Sequence, residues 1–85
     1  NYPNPFNPHT TIRYDLPENN IVSVTIYDMM GRVVKNLVNG MQPAGFKSLR
    51  WDATNNRDQS VSTGLYIYTI HSDNYTDTKK MILLK

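Results

Sequence analysis

Ile21-Val22-Ser23-Val24-Thr25-Ile26-Tyr27-Asp28 sets Val22, Val24 and Ile26 at every second position, with Ser23, Thr25 and Tyr27 between them. Successive side chains of an extended chain point to opposite faces, so this spacing makes one apolar face and one mixed face. β-Branched residues also fit a pleated, half-buried surface. The stretch predicts a central strand. Upstream, residues 10–16 alternate Ile12, Tyr14 and Leu16 with Thr11, Arg13 and Asp15, and Pro17-Glu18-Asn19-Asn20 ends that run. Downstream, Asp28-Met29-Met30-Gly31 supplies a turn, and residues 32–38 resume as a third strand in a hairpin.

Further along, Asn39-Gly40 and Pro43-Ala44-Gly45 are expected to bracket a loop. Residues 46–51 then set Lys47, Leu49 and Trp51 against Phe46, Ser48 and Arg50, with Trp51 the largest expected core anchor. Residues 52–62 are almost wholly polar and rich in turn-forming Asp and Asn; Val61 alone hints at a short edge strand. Gly64 precedes the second strong strand, Leu65-Tyr66-Ile67-Tyr68-Thr69-Ile70. Ser72-Asp73-Asn74 makes a tight turn, and residues 75–85 pair back as the last strand.

Six or seven short strands punctuated by turns, with no helical period, predict an all-β, immunoglobulin-like antiparallel sandwich of about seven strands. A small closed barrel is the alternative. The 85 residues leave room for one core, and 39% hydrophobic with 19% charged residues is an ordinary globular balance. With no cysteine, packing alone must hold the fold. No run reaches the roughly twenty apolar residues of a membrane helix, so membrane insertion is not expected. The formal charge of +2 is spread over scattered basic residues, which argues against a nucleic-acid surface.

Chemistry-bearing constellations are sparse. His9 and His71 are two ligands at most where zinc takes three or four, so neither metal nor cofactor is expected. Asp52-Ala53-Thr54-Asn55-Asn56-Arg57-Asp58 clusters hard oxygens, but it lacks the glycine and distal glutamate of a calcium loop and carries Arg57. Side-chain turns account for it. No serine stands in a glycine-flanked elbow beside a histidine, and Asp15, Glu18, Asp52 and Asp58 form no marked carboxylate pair, so no enzyme is expected. Tyr66, Tyr68 and Tyr75 would make an aromatic platform for sugars if they shared an exposed face.

The opening Asn1-Tyr2-Pro3-Asn4-Pro5-Phe6-Asn7-Pro8 holds three prolines in six residues and is a stiff, extended lead-in suited to joining an upstream domain. Followed by Thr10-Thr11-Ile12, it resembles the opening of type IX secretion system C-terminal sorting domains, type A. Tyr27-Asp28-Met29-Met30-Gly31-Arg32-Val33-Val34 resembles the family's mid-domain hairpin, and Gly64-Leu65-Tyr66-Ile67-Tyr68 its glycine-x-tyrosine motif. Thr78-Lys79-Lys80-Met81-Ile82-Leu83-Leu84-Lys85 resembles its terminal strand. Trp51-Asp52 with Gly64 and Tyr66 is also similar to the immunoglobulin-like domain of flagellar hook-capping proteins.

The resemblance implies a lead-in over residues 1–9 and a non-catalytic sorting domain over 10–85 that directs an upstream cargo of the same chain. It implies the type IX translocon and its sortase as partners. Passage would run through the periplasm to the medium or the outer-membrane surface of a Gram-negative bacterium. The implied recognition residues are Gly64, Tyr66, Lys79, Lys80 and Lys85, with Asn4, Pro5, Asn7 and Pro8 as the lead-in motif. Each has a local reading beside it: Gly64 meets a turn, Tyr66 packs, and lysines guard an edge strand. A carbohydrate-binding or adhesive module and a structural assembly domain are the alternative functions.

Overall fold

The computed structural model describes residues 9–73 and 76–84. The lead-in motif Asn4, Pro5, Asn7 and Pro8, the expected turn residue Asn74, Tyr75, and Lys85 lie outside the described residues. Six strands follow in order: β1 Thr10–Leu16, β2 Asn20–Asp28, β3 Val33–Gln42, β4 Gly45–Trp51, β5 Gly64–Ser72 and β6 Thr76–Leu83. They form a two-stranded sheet, β1-β4, and a four-stranded sheet, β3-β2-β5-β6, with every pairing antiparallel.

The alternation in sequence becomes the core. Ile12, Tyr14 and Leu16 from β1 pack with Val22, Val24 and Ile26 from β2, and Trp51, Tyr66, Ile70 and Leu83 complete the cluster. Trp51 and the three inward residues of β2 are fully buried. Burying side chains of this size contributes about 1.5–3 kcal/mol each, the main favourable term for a chain without disulfides. β2 and β5 run through the middle of the larger sheet, β2 as its β-branched composition predicts.

Two expectations need correction. The strand count is six among the described residues, because Val61 packs on the core from a loop and the nearby extended pairing is only the single bridge Thr54↔Ser60. Asn39-Gly40 is not a loop boundary either: β3 runs on to Gln42, Asn39 facing Ser23 and Gly40 facing Val22. The long β2 offers a full-length pairing edge, so the chain turns only at residues 43–44. Against Asn20–Tyr27, β3 sets two extra residues, with register shifts at Val24/Thr25 and Ile26/Tyr27 that leave Leu37 and Val34 unmatched. Such bulges re-aim side chains; Val34 is buried and Leu37 packs on the core.

Partners in an antiparallel ladder share a face, so the register lays out the solvent side of the larger sheet. Its middle is polar: Thr25 faces Thr69, which faces Thr78, and Ser23 faces His71, which faces Thr76. One end is apolar, with Tyr27 beside Ile67 and Leu65 beside Ile82.

Candidate recognition site

The first candidate region is the corner between β4 and β5. Trp51 ends β4, and Ala53 takes a φ of 65°, which folds the chain back so that the indole Nε1 donates to the carbonyl of Thr54 at 2.8 Å. Tyr66 meets the indole edge to face, ring centroids 5.2 Å apart and planes at 71°. Its hydroxyl donates to the carbonyl of Ser62 at 2.7 Å. A tyrosine early in a strand bonded to backbone a few residues upstream is the corner device of immunoglobulin-like sandwiches.

Tyr66 is only 6% exposed, so it cannot belong to a sugar-stacking platform. Its ring is spent on Trp51, and Tyr68 lies half-buried on the core side of β5. The sugar-platform expectation therefore loses the residue at its centre. Gly64, which opens β5, has a φ of +147°, a backbone conformation that side-chain-bearing residues rarely adopt. The space a Cβ would enter is open, so the backbone and not crowding calls for glycine there.

The polar segment after Trp51 forms side-chain turns, as its composition predicts. Asn55 Oδ1 accepts from the backbone N–H groups of Arg57 and Gln59 at 2.9 and 3.0 Å. The segment then docks on β3: the Asn56 N–H donates to the Val34 carbonyl, and Asn56 Oδ1 accepts from the Asn36 N–H, both at 3.0 Å. Lys35 Nζ reaches the Asn55 carbonyl at 3.0 Å and Asp58 Oδ1 at 3.1 Å. Sequence reading missed this latch. Lysine on a strand reads as solvated until the loop that covers it is in place.

In the β2–β3 turn, Asp28 accepts from the N–H groups of Met30 and Arg32 at 2.9 and 3.0 Å and from Arg32 Nε at 2.9 Å. The backbone bond from Arg32 is the main cause that holds the Asp28 carboxyl below its usual range; Met30 and the guanidinium add to it, and partial burial works against it. Gly31, at φ +83°, closes this turn, with its N–H on the Asp28 carbonyl at 3.0 Å. A cleft of about 450 Å³ lies between this turn and residues 61–66, walled by Met30, Arg32, Val61 and Leu65 among others.

The second candidate region is β6. Lys79 and Lys80 are exposed near its middle, and Lys79 Nζ stands 4.0 Å from Asp77. The structure thus separates the expected recognition residues: Gly64 and Tyr66 build the buried corner, while Lys79 and Lys80 are presented at the sheet edge. Gly64 links the two, because it pairs with Leu83 across the ladder. Among the described residues no group of three or more His, Asp or Glu converges as metal ligands would, and no helix is long and apolar enough to cross a membrane.

A buried Trp–Tyr corner inside two antiparallel sheets marks an immunoglobulin-like sandwich. The family described as secretion system C-terminal sorting domain matches residues 1–84, and the chain belongs to that family. It is a sorting-signal domain of type IX secretion, and domains of this family are in general non-catalytic. The fold is shared with FlgD from P. aeruginosa at 28% identity and a TM-score of 0.67, over 88% of this chain and 59% of that one. It is shared too with dimeric latent PorU from Porphyromonas gingivalis at 26% identity and a TM-score of 0.65, over 95% of this chain and 8% of that one. The chain thus spans less than two thirds of either structure. No curated protein matches it. Membership implies export across the outer membrane of a Gram-negative bacterium, and contact with the secretion machinery and with an upstream cargo.

Proposed function

We propose that the domain works without catalysis, as a folded tag that the type IX translocon reads in the periplasm and its sortase then handles at the surface. The observation that carries this reading is the family match across residues 1–84. The likeness to the PorU structure supports it further. The cargo preceding the tag is released or held at the cell surface. Gly64, Lys79, Lys80 and Lys85 present the signal, Tyr66 holds the shape from which it is presented, and Asn4, Pro5, Asn7 and Pro8 space it from the cargo.

A reporter fused ahead of residues 1–85 and expressed in a bacterium with this secretion system tests the proposal. The reporter is expected outside the outer membrane, and deletion of residues 79–85 should trap it in the periplasm. A reporter that stays periplasmic with the intact domain would sink the reading.

The likeness to FlgD favours a second reading, a structural assembly domain. It predicts self-association of the isolated chain. Sedimentation showing a monomer at high concentration would remove it.

A further inference from the structure

We infer that the outer edge of β6 takes up an extended segment of a partner protein by strand addition, and that this segment carries a run of apolar residues next to an acidic pair. The inference rests on the sorting reading for its biological setting, but the geometry behind it is separate.

The four-stranded sheet has two edges, β3 and β6, and among the described residues a loop covers only β3, over residues 34–36. On β3, Asn56 takes the place of a neighbouring strand, satisfying the Val34 carbonyl and the Asn36 N–H while Lys35 pins the loop. Among the described residues β6 pairs with β5 alone. A strand edge left open presents a row of backbone donors and acceptors that another chain can use.

Side chains along that edge are sorted. Ile82 and Leu84 are 66% and 76% exposed, and Ile82 extends the apolar end formed by Leu65, Ile67 and Tyr27. Isolated exposed apolar residues are ordinary, but a row running to an unpaired edge marks an interaction surface. Lys80 stands beside Ile82 on that face and Lys79 on the other face of the same edge, and among the described residues Lys80 has no acidic partner.

The lysines also decide against a second copy of this chain. An antiparallel pairing of β6 with itself over its full length, Thr76–Leu83, has its midpoint between Lys79 and Lys80. Each Lys79 would then face the other copy's Lys80, and like charges directly opposite destabilise a ladder. The same pair favours an acidic partner. Opposite Leu83, Ile82, Met81, Lys80 and Lys79, an antiparallel segment would read three apolar residues and then two acidic ones; a parallel segment would read the reverse.

The test is an amide-shift titration of the isotope-labelled 85-residue chain with the capped peptide Val-Ile-Val-Glu-Glu-Thr. Saturable shifts centred on residues 76–83, at or below about 1 mM, are expected. The peptide Val-Ile-Val-Lys-Lys-Thr should bind roughly tenfold more weakly, and the double variant Lys79→Glu/Lys80→Glu should invert that preference. A peptide N-methylated at alternate residues should fail, since it cannot complete the ladder. The variant's own spectrum reports whether it is folded.

No saturable shift, shifts centred away from β6, an unchanged charge preference, or equal binding by the N-methylated peptide would each overturn the inference. The reporter assay separates the two claims. If export needs the domain but ignores the lysine swap and the peptide does not bind, the edge inference falls while the sorting reading stands.

Discussion

The corner at Trp51 and the terminal strand β6 belong to one sandwich but spend their side chains in opposite ways. At the corner polar groups are spent on the chain itself: Nε1 of Trp51 on the Thr54 carbonyl, the Tyr66 hydroxyl on the Ser62 carbonyl, and Lys35 on the loop that docks on β3. On β6, Leu83 alone is fully buried, and Thr76, Thr78, Lys79, Lys80 and Ile82 face water. A domain of about 85 residues buries too little surface to lock every strand equally. The corner therefore supplies rigidity, and the terminal strand is left available for contact.

That contrast is open to direct challenge. Trp51→Ala should cost about 3–5 kcal/mol, most of the stability such a domain has, and chemical denaturation should find it largely unfolded. Survival of a cooperative transition near the wild-type midpoint would show that the corner is not the anchor. Lys35→Met keeps the stem but removes the ammonium that joins residues 54, 55 and 58 to β3; a loss of about 1–2 kcal/mol is expected, with faster hydrogen exchange in residues 54–60 than in β2. Tyr66→Phe removes one buried hydrogen bond and keeps the ring contact, so about 1 kcal/mol should be lost. At the presented strand, Lys80→Ala should move stability by less than about 0.5 kcal/mol. A much larger shift would mean that β6 is held by more than its pairing with β5.

Acid provides a further check on the turn before β3. The folded-state pKa of Asp28 is lowered, so the contribution of its carboxylate is present above the ordinary carboxylate pKa and is lost as pH falls through the lowered value. Stability should therefore decline below about pH 4, and Asp28→Asn should flatten that decline. A denaturation series across pH in both proteins measures it.

How far the chain could be read before folding depended on how local each interaction is. β1, β2 and β5 were legible because period-two burial is a property of neighbouring residues: Ile12, Tyr14 and Leu16, or Val22, Val24 and Ile26, advertise their face without reference to anything distant. The end of β3 was not, because Asn39-Gly40 carries the chemistry of a turn and remains extended only through pairing with Val22 and Ser23. Val61 looked like a strand by its side chain, yet the loop around it is shaped by Ala53 and Asn55. Of the candidate site, Gly64 and Tyr66 are singled out by a local motif. That Tyr66 is interior while Lys79 and Lys80 stand at an edge is a matter of sheet order.

The sequence alone determined an all-β chain with one apolar face per strand, a tryptophan anchor, and end motifs that point to a sorting domain, because composition, alternation and short motifs are written in consecutive residues. Only the tertiary structure decided which of the two sheet edges is covered. The polar loop after Trp51 folds back over β3 and not over β6, and that choice rests on contacts from Lys35 and Asn36 to residues some twenty positions away. Pairings across such distances follow from how the whole chain closes on its core, which no local pattern encodes.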